Sequence, residues 1–446
     1  MARLDANDIA LRYDALESER KNLDGQLQLL ERFILPGRGR FFQEGDDSED
    51  SIDWTHREIY DGTAQNAAVL LASNIGGSLT SAAATWFELR FRNDELNDDQ
   101  EASKWIEECA VRMRSAFSDS NFSLESHEFY QDGVGFGTAV MLHNEASGIP
   151  TQWNGHRFRA EMLRYCYFEE DSDGKTTGLF IKRSRSPMQL ALQFGKGALP
   201  VHIQEKLDNP GEATVAKDLE VIHAIYLDPD KADVDVSGIL PSDKRPFVGQ
   251  YMLREGRHIL GPAQGFYEMP AYVLRWQRTA GSKYGHSPGV IALGDILTLQ
   301  EMVRMVRTST EKTVDPPMKT TRRGIVGDLE MFAGGVTNVR EMDNLQPLLP
   351  PGAYRVDAGW QDINDIRQRV RQAFFVDQLE LKESPQMTAT EVQVRYEMMQ
   401  RLLGPTLGRI QSDFLDPLIT RSFWMMYRKG ALPPMPESVA KAEEAD

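Results

Sequence analysis

Cysteine is nearly missing from this chain: Cys109 and Cys166 are the only two among 446 residues. They stand far apart with no C-x-x-C spacing, which argues against a disulfide framework or a structural zinc site and fits a reducing compartment. Long apolar runs are missing as well. No window approaches the roughly 18 apolar residues of a membrane span, and the opening Met1-Ala2-Arg3-Leu4-Asp5 does not read as a signal peptide. Histidine is scarce, eight residues in all without ligand spacing, and His127-Glu128 lacks the second histidine of a zincin helix. Positive charge is in short supply too, 50 Lys and Arg against 67 Asp and Glu for a net −17, so no basic domain of the usual nucleic-acid-binding kind is indicated.

What is there divides unevenly. Residues 1–289 hold 31 basic against 45 acidic residues, 290–430 hold 18 of each, and the tail holds 1 against 4. The acidity therefore lies outside one electrically neutral region. The length fits two to four domains.

That neutral region organises the rest. After the turn Lys283-Tyr284-Gly285-His286-Ser287-Pro288-Gly289, apolar residues at Leu293, Ile296, Leu297, Val303 and Val306 predict a helix over 290–312. Residues 315–359 carry Pro316, Pro317, Pro347, Pro350, Pro351 and six glycines, which neither flanking helix can cross. A second helix, from Asp362, places Ile363, Ile366, Val370 and Phe374 on one face. A third opens with the capping-box pattern Thr388-Ala389-Thr390-Glu391 and runs to Arg428, with kinks expected at Gly404-Pro405 and Pro417. Both flanking helices have apolar faces that one partner helix cannot cover, which predicts burial against neighbouring subunits.

Upstream, residues 1–35 read as a helix ended near Pro36-Gly37, and Arg38 to Asp53 as an acidic loop that fails the EF-hand pattern. Residues 54–81 read as a helix broken at Gly76-Gly77, and 98–118 as another with Trp105, Ile106, Cys109 and Met113 on its apolar face. Gly133-Val134-Gly135-Phe136-Gly137 is not G-x-G-x-x-G and reads as a helix-to-strand turn. Gly174-Lys175-Thr176 lacks the earlier glycine of a phosphate-binding loop and reads as a hairpin turn. Residues 140–280 alternate strand-like runs at 164–168, 178–183, 221–227, 247–253 and 271–276 around one helix, 187–194. The fold class expected is α+β.

Two other functions compete. Gly285-His286-Ser287-Pro288-Gly289 satisfies G-x-S-x-G, the nucleophile elbow of an α/β-hydrolase-like esterase, with Ser287 as nucleophile. Against it, Pro288 has no N–H to offer an oxyanion, and no histidine follows His286. Lys319, Arg322 and Arg323 form a small basic patch, but no aromatic interleaving or helix-turn-helix pattern makes it a sequence reader.

The chain resembles the podovirus portal, or head-to-tail connector, family. The resemblance is carried by Arg32-Phe33-Ile34-Leu35-Pro36, Tyr60-Asp61-Gly62-Thr63-Ala64, Leu71-Ala72-Ser73, Trp86-Phe87-Glu88-Leu89, Phe136-Gly137-Thr138-Ala139, Arg275-Trp276 and Tyr284-Gly285. Pro316-Pro317, Met387-Thr388-Ala389-Thr390-Glu391-Val392 and Leu403-Gly404-Pro405 continue it in the family's order. Where the family usually has proline before Trp86-Phe87, this chain has Ala82-Ala83-Ala84.

The resemblance implies a portal fold with an α-helical wing (1–285), a stem of two helices (286–312 and 360–380), a small mixed α/β clip (313–359) and a tunnel loop (381–387). A long kinked helix leading into a short crown and acidic tail (388–446) completes it, with no long barrel. It implies a homo-oligomer, a dodecameric ring, without its own ATPase, cofactor or metal. Double-stranded DNA would pass through the channel during packaging and ejection, and the major capsid protein, terminase and tail adaptor proteins would be partners. The place implied is the portal vertex of the virion, after assembly in the host bacterial cytoplasm. Glu380, Lys382, Glu383, Ser384 and Gln386 would line the bore, and Lys319, Arg322 and Arg323 would contact adaptor or DNA.

Overall fold

The computed structural model describes residues 4–38, 59–81, 85–149, 152–208, 218–231, 234, 239–279, 281–314, 318–320, 345–347, 356–379 and 403–439. The chain is α+β. Helix α1 (Ala6–Ile34) begins at a capping box in which Asp5 and Asp8 satisfy each other's backbone N–H. It is followed by α2 (Thr63–Leu79), the short α3 (Asp94–Asp98), α4 (Gln100–Ser118) and α5 (Phe122–Phe136). Helix α2 runs through Gly76-Gly77 rather than breaking there. A Cβ on Gly76 would meet the Tyr130 ring of α5 at 3.4 Å, an ordinary contact. Helix α5 likewise continues through Gly133 and Gly135, and the turn comes at Gly137, whose φ of 82° favours glycine.

Among the described residues, ten strands form three antiparallel sheets. Strands β1 (Thr138–Glu145), β2 (His156–Glu161) and β8 (Ala271–Arg275) pair in the order β2-β1-β8. A meander of β3 (Cys166–Glu170), β4 (Thr176–Arg185), β5 (Leu219–Leu227), β6 (Phe247–Leu253) and β7 (His258–Phe266) forms the second sheet. Gly174, at φ 78°, makes the expected hairpin turn between β3 and β4. Strands β9 (Met318–Thr320) and β10 (Leu345–Pro347) form a small pair. Sequence periodicity missed β2, β7 and helix α7 (Val201–Asp208); it placed α6 (Pro187–Phe194), capped by Ser186 with Pro187 in the first turn.

The five-stranded sheet is covered on both faces. Ile9, Tyr13 and Leu16 of α1 pack on Phe180, Ile222, Ala224, Tyr226, Val248 and Met252, while Leu190, Leu199 and Ile203 cover Val221, Leu253 and Leu260. The second half of α1 enters the main core through Leu27, Leu30 and Ile34. Between the halves Arg20, 1 % exposed, donates to the carbonyls of Leu163, Arg164 and Cys166, to the Tyr167 hydroxyl and to Asp24. A buried guanidinium is tolerable here because its donors all find acceptors.

The main core also takes in the long helices α8 (Pro288–Val314) and α9 (Val356–Ala373), the short α10 (Val376–Leu379), and the last helical stretch. That stretch is α-helical over 403–410 (α11), opens into a π turn at Gln411–Leu415, and resumes as α12 (Asp416–Arg428). The π turn has a local cause. Pro417 cannot donate to the Asp413 carbonyl and its ring crowds that oxygen, so the turn before it widens.

Candidate functional site

Helices α8 and α9 are antiparallel. Arg369 reaches Asp295 at 3.4 Å, while Gly359, ten residues earlier on α9, lies against Val306, eleven residues later on α8. A Cβ on Gly359 would come within 2.8 Å of Val306 Cγ2, so glycine allows this close crossing. Ile296, Val303 and Val306 of α8 and Ile363, Ile366, Val370 and Phe374 of α9 are buried, with Leu293 and Leu297 half-buried on the same core.

Their partners are α1, α2 and α5 of the same chain as well as each other. This corrects the expectation that neighbouring subunits bury these faces, because the wide apolar stripe of each helix is met by several elements at once. Exposed large apolar residues on the pair are others: Ile291 at 68 %, Met305 at 55 %, Val314 at 81 % and Trp360 at 39 %. Around them the outer surfaces are polar and mixed in charge, with Glu301, Arg304, Arg307 and Glu311 exposed on α8 and Asp362, Asp365 and Arg369 on α9.

A polar clamp ties this pair to the start of α2. Gln300 on α8 accepts from the backbone N–H groups of Tyr60 and Asp61 at 2.7 and 3.0 Å, and donates to the Asp61 carbonyl at 2.7 Å. The Asp61 carboxylate accepts from Thr63 N at 2.9 Å and from Arg367 on α9 at 2.8 and 2.7 Å. Burial pushes the Asp61 carboxyl up, but hydrogen bonds from Thr63 and the Arg367 guanidinium outweigh it and hold it below the usual range. Sequence reasoning named Tyr60-Asp61-Gly62-Thr63-Ala64 as a motif without seeing that Asp61, Gln300 and Arg367 converge.

A second convergence sets the entry into α8. Gly285 N donates to Thr138 Oγ1 at 2.8 Å, Trp276 N to the Gly137 carbonyl at 2.8 Å, and His286 N to the Gln277 carbonyl at 2.7 Å. The backbones at Gly137 and Gly285 touch so closely that a Cβ on either would overlap the other's carbonyl oxygen. Ser287 is fully buried; its hydroxyl donates to the Gly135 carbonyl at 2.8 Å and accepts from Val290 N at 3.1 Å. It caps α8, and Pro288 takes the first helical position, where its missing N–H costs nothing.

The esterase reading fails on this geometry. A nucleophile needs an exposed hydroxyl beside a base, and this one is sealed and committed on both sides. Ser287→Ala is expected to lower stability by about 1–2 kcal/mol through loss of the cap, read as a lower melting temperature. Neither protein is expected to cleave a short acyl ester.

The remaining predicted residues separate. Lys319 lies on β9 opposite Gln346 and is exposed. Arg322 and Arg323, the tunnel-loop set Glu380, Lys382, Glu383, Ser384 and Gln386, and the acidic loop up to Asp53 lie outside the described residues, apart from Arg38. Arg38 is paired with Asp132 and Glu128 on α5. Among the described residues, no helix is long and apolar enough to cross a membrane.

A family model for bacteriophage head to tail connecting proteins matches residues 6–444. This chain belongs to that family. It is 27 % identical to the probable portal protein of Bordetella phage BPP-1, over 96 % of this chain and 76 % of that one. It is 26 % identical to the portal protein of Salmonella phage epsilon15, over 95 % of this chain and 74 % of the relative. Membership gives the two convergences a common setting. Tyr60 to Ala64 forms the clamp on Gln300 and Arg367, while Phe136 to Ala139, Arg275-Trp276 and Tyr284-Gly285 meet at the entry into α8. Neither comparison supports an esterase.

Proposed function

We propose that the chain forms a ring at one capsid vertex, through which double-stranded DNA is packaged and ejected, and on which terminase and then tail adaptors dock. The observation that carries this reading is the family match over nearly the whole chain. On it, residues 1–285 form the wing, 286–312 and 360–380 the stem, 313–359 the clip and 381–387 the tunnel loop. Residues 388–446 form the long kinked helix and short crown. The helix pair supports the stem assignment. Its fixed apolar seam leaves a polar outer surface, and Ile291, Met305 and Trp360 are available to neighbouring copies. Equal numbers of basic and acidic residues over 290–430 also suit a bore along which DNA must slide, since many phosphate contacts would hold it. The subunit number proposed is that of a dodecamer, and the chain would act without hydrolysing ATP itself, the energy coming from the terminase.

Mass measurement by light scattering, with electron microscopy of the purified full chain, is expected to show closed rings. A stable monomer would overturn the reading. Within the ring, changing Ser384 and Gln386 to alanine should leave the mass unchanged and lower DNA packaging or retention. Loss of the ring instead would show that the tunnel loop has been misplaced.

A further inference from the structure

The connector reading leaves unused a cleft of about 440 Å³ between the end of α12, the turn around Ser242, the far end of β1 and the chain after β7. Four cations line it, Arg245, Arg421, Arg428 and Lys429, against two carboxylates, Glu145 and Glu268. The pairing is uneven. Lys429 has Glu145 at 3.1 Å, but Glu268 alone serves both Arg421 at 3.3 Å and Arg428 at 2.7 Å. Among the described residues Arg245 has no carboxylate partner, and donates instead to the carbonyls of Leu240 and Gly265. The lining therefore carries two positive charges more than it neutralises, in a recess where solvent screens them less than on an open surface. Arg421, 4 % exposed, feels the excess: burial lowers its pKa, Glu268 offsets only part of that, and the charge of Arg428 lowers it further.

Two of these guanidiniums are set on one ring. Arg428 Cζ lies 3.8 Å and Arg245 Cζ 4.5 Å from the centroid of Tyr267, whose hydroxyl is fastened to the Leu240 backbone. Each keeps N–H groups beyond those already bonded, Arg245 at Nη2 and Arg428 at Nε and Nη1. Ser242 Oγ accepts from Gly265 N at 2.8 Å, which leaves its O–H to donate. We propose that this cleft binds a compact dianion, a phosphate held by Arg245, Arg428 and Ser242. Phosphate rather than carboxylate follows from the excess of two charges and from donors on three separate residues, which a tetrahedral group can meet on different oxygens. The phosphate is either the free ion or the terminal monoester of a nucleotide.

Calorimetric titration of the full-length chain with inorganic phosphate, sulfate, acetate and a nucleoside 5′-monophosphate tests this, at constant ionic strength and about pH 8, above the second phosphate ionisation. Saturable binding of phosphate and sulfate is expected, with acetate about tenfold weaker or more, as befits loss of one charge and one acceptor oxygen. Tighter binding of the nucleotide than of phosphate assigns the site to nucleotides, and equal or weaker binding assigns it to the free ion. Arg428→Gln should weaken phosphate binding about tenfold or more through loss of a charged donor. Ser242→Ala should weaken it several-fold at an unchanged melting temperature, and Glu145→Gln, which removes a competing negative charge, should tighten it. The proposal is overturned if no anion binds saturably, if acetate matches phosphate, or if Arg428→Gln binds as the parent does. Should Arg428→Gln fail to fold, Glu145→Gln decides, and unchanged or weaker phosphate affinity there rules the site out.

Discussion

Arg367→Ala is expected to lower folding stability by about 1–3 kcal/mol, because it takes the charged partner from a sealed carboxylate that Thr63 still serves. The two sides of the pair are not equivalent. The Asp61 side chain is 4 % exposed and the Arg367 side chain 34 %. Removing the guanidinium strands a carboxylate in the interior, whereas Asp61→Ala leaves an arginine that can turn to water, so the aspartate change should cost less. Denaturant melts of both variants at matched protein concentration check the order, which reverses only if Asp61 is less sealed than described. The pH dependence gives an independent reading. The folded-state pKa of Asp61 is depressed, so its contribution is present above the unfolded value of about 3.9 and is lost as pH falls through the folded value. In Arg367→Ala the stranded carboxyl can take up a proton instead, and the gap between variant and parent should narrow in acid.

Gly285→Ala is expected to cost about 3 kcal/mol, the upper end of what overpacking a close contact does. The new methyl would overlap the Gly137 carbonyl oxygen and come within 2.9 Å of Trp276 N. Both are backbone atoms, and both are held by the hydrogen bond between them, so neither can swing aside as a side chain would. Gly294→Ala is the matching control. It lies on α8, beyond the turn that holds Gly285, with nothing within 4 Å, and alanine there should raise stability by up to about 1 kcal/mol through helix propensity alone. Similar melts for the two variants would show that the junction is looser than its contacts indicate.

Both results turn on features that the sequence displayed only in part. Helices α1, α4, α6, α8 and α9 were legible from their residue patterns, while the caps at Asp5 and Ser186 came only with the structure. Strand β7 was not, because Gly261, Pro262 and Gly265 interrupt it and its alternation is weak. Gly76, Gly133 and Gly135 misled in the other direction. Glycine often ends a helix, yet here Gly133 and Gly135 sit tightly against Leu274 and Leu35, a tertiary demand that local pattern cannot reveal. The same limit governs the clamp. Asp61 is more than 200 residues from both Gln300 and Arg367, and only the polar character of Gln300 on an otherwise apolar stripe hinted at a buried partner. The serine of Gly285-His286-Ser287-Pro288-Gly289 was the opposite case: Pro288, without an N–H for an oxyanion, already argued against a nucleophile, and the structure adds that Ser287 caps α8.

The widened turn at Gln411–Leu415 carries a consequence for the chain's far end. Ile410, Phe414, Leu418, Ser422 and Met426 are all buried, though they recur every fourth position. On a regular helix of 3.6 residues per turn each such step drifts by about 40°, roughly 160° over the series, enough to carry Met426 to the opposite side. One extra residue absorbed in a single wide turn takes back about 100°, which is how five positions can share one seat. Closing 411–415 into regular α-helix with every residue kept would therefore turn all that follows by about 100°. Leu432 and Val439 would be swung away from the core they now close, so an apparent blemish in the coil keeps phase for everything beyond it.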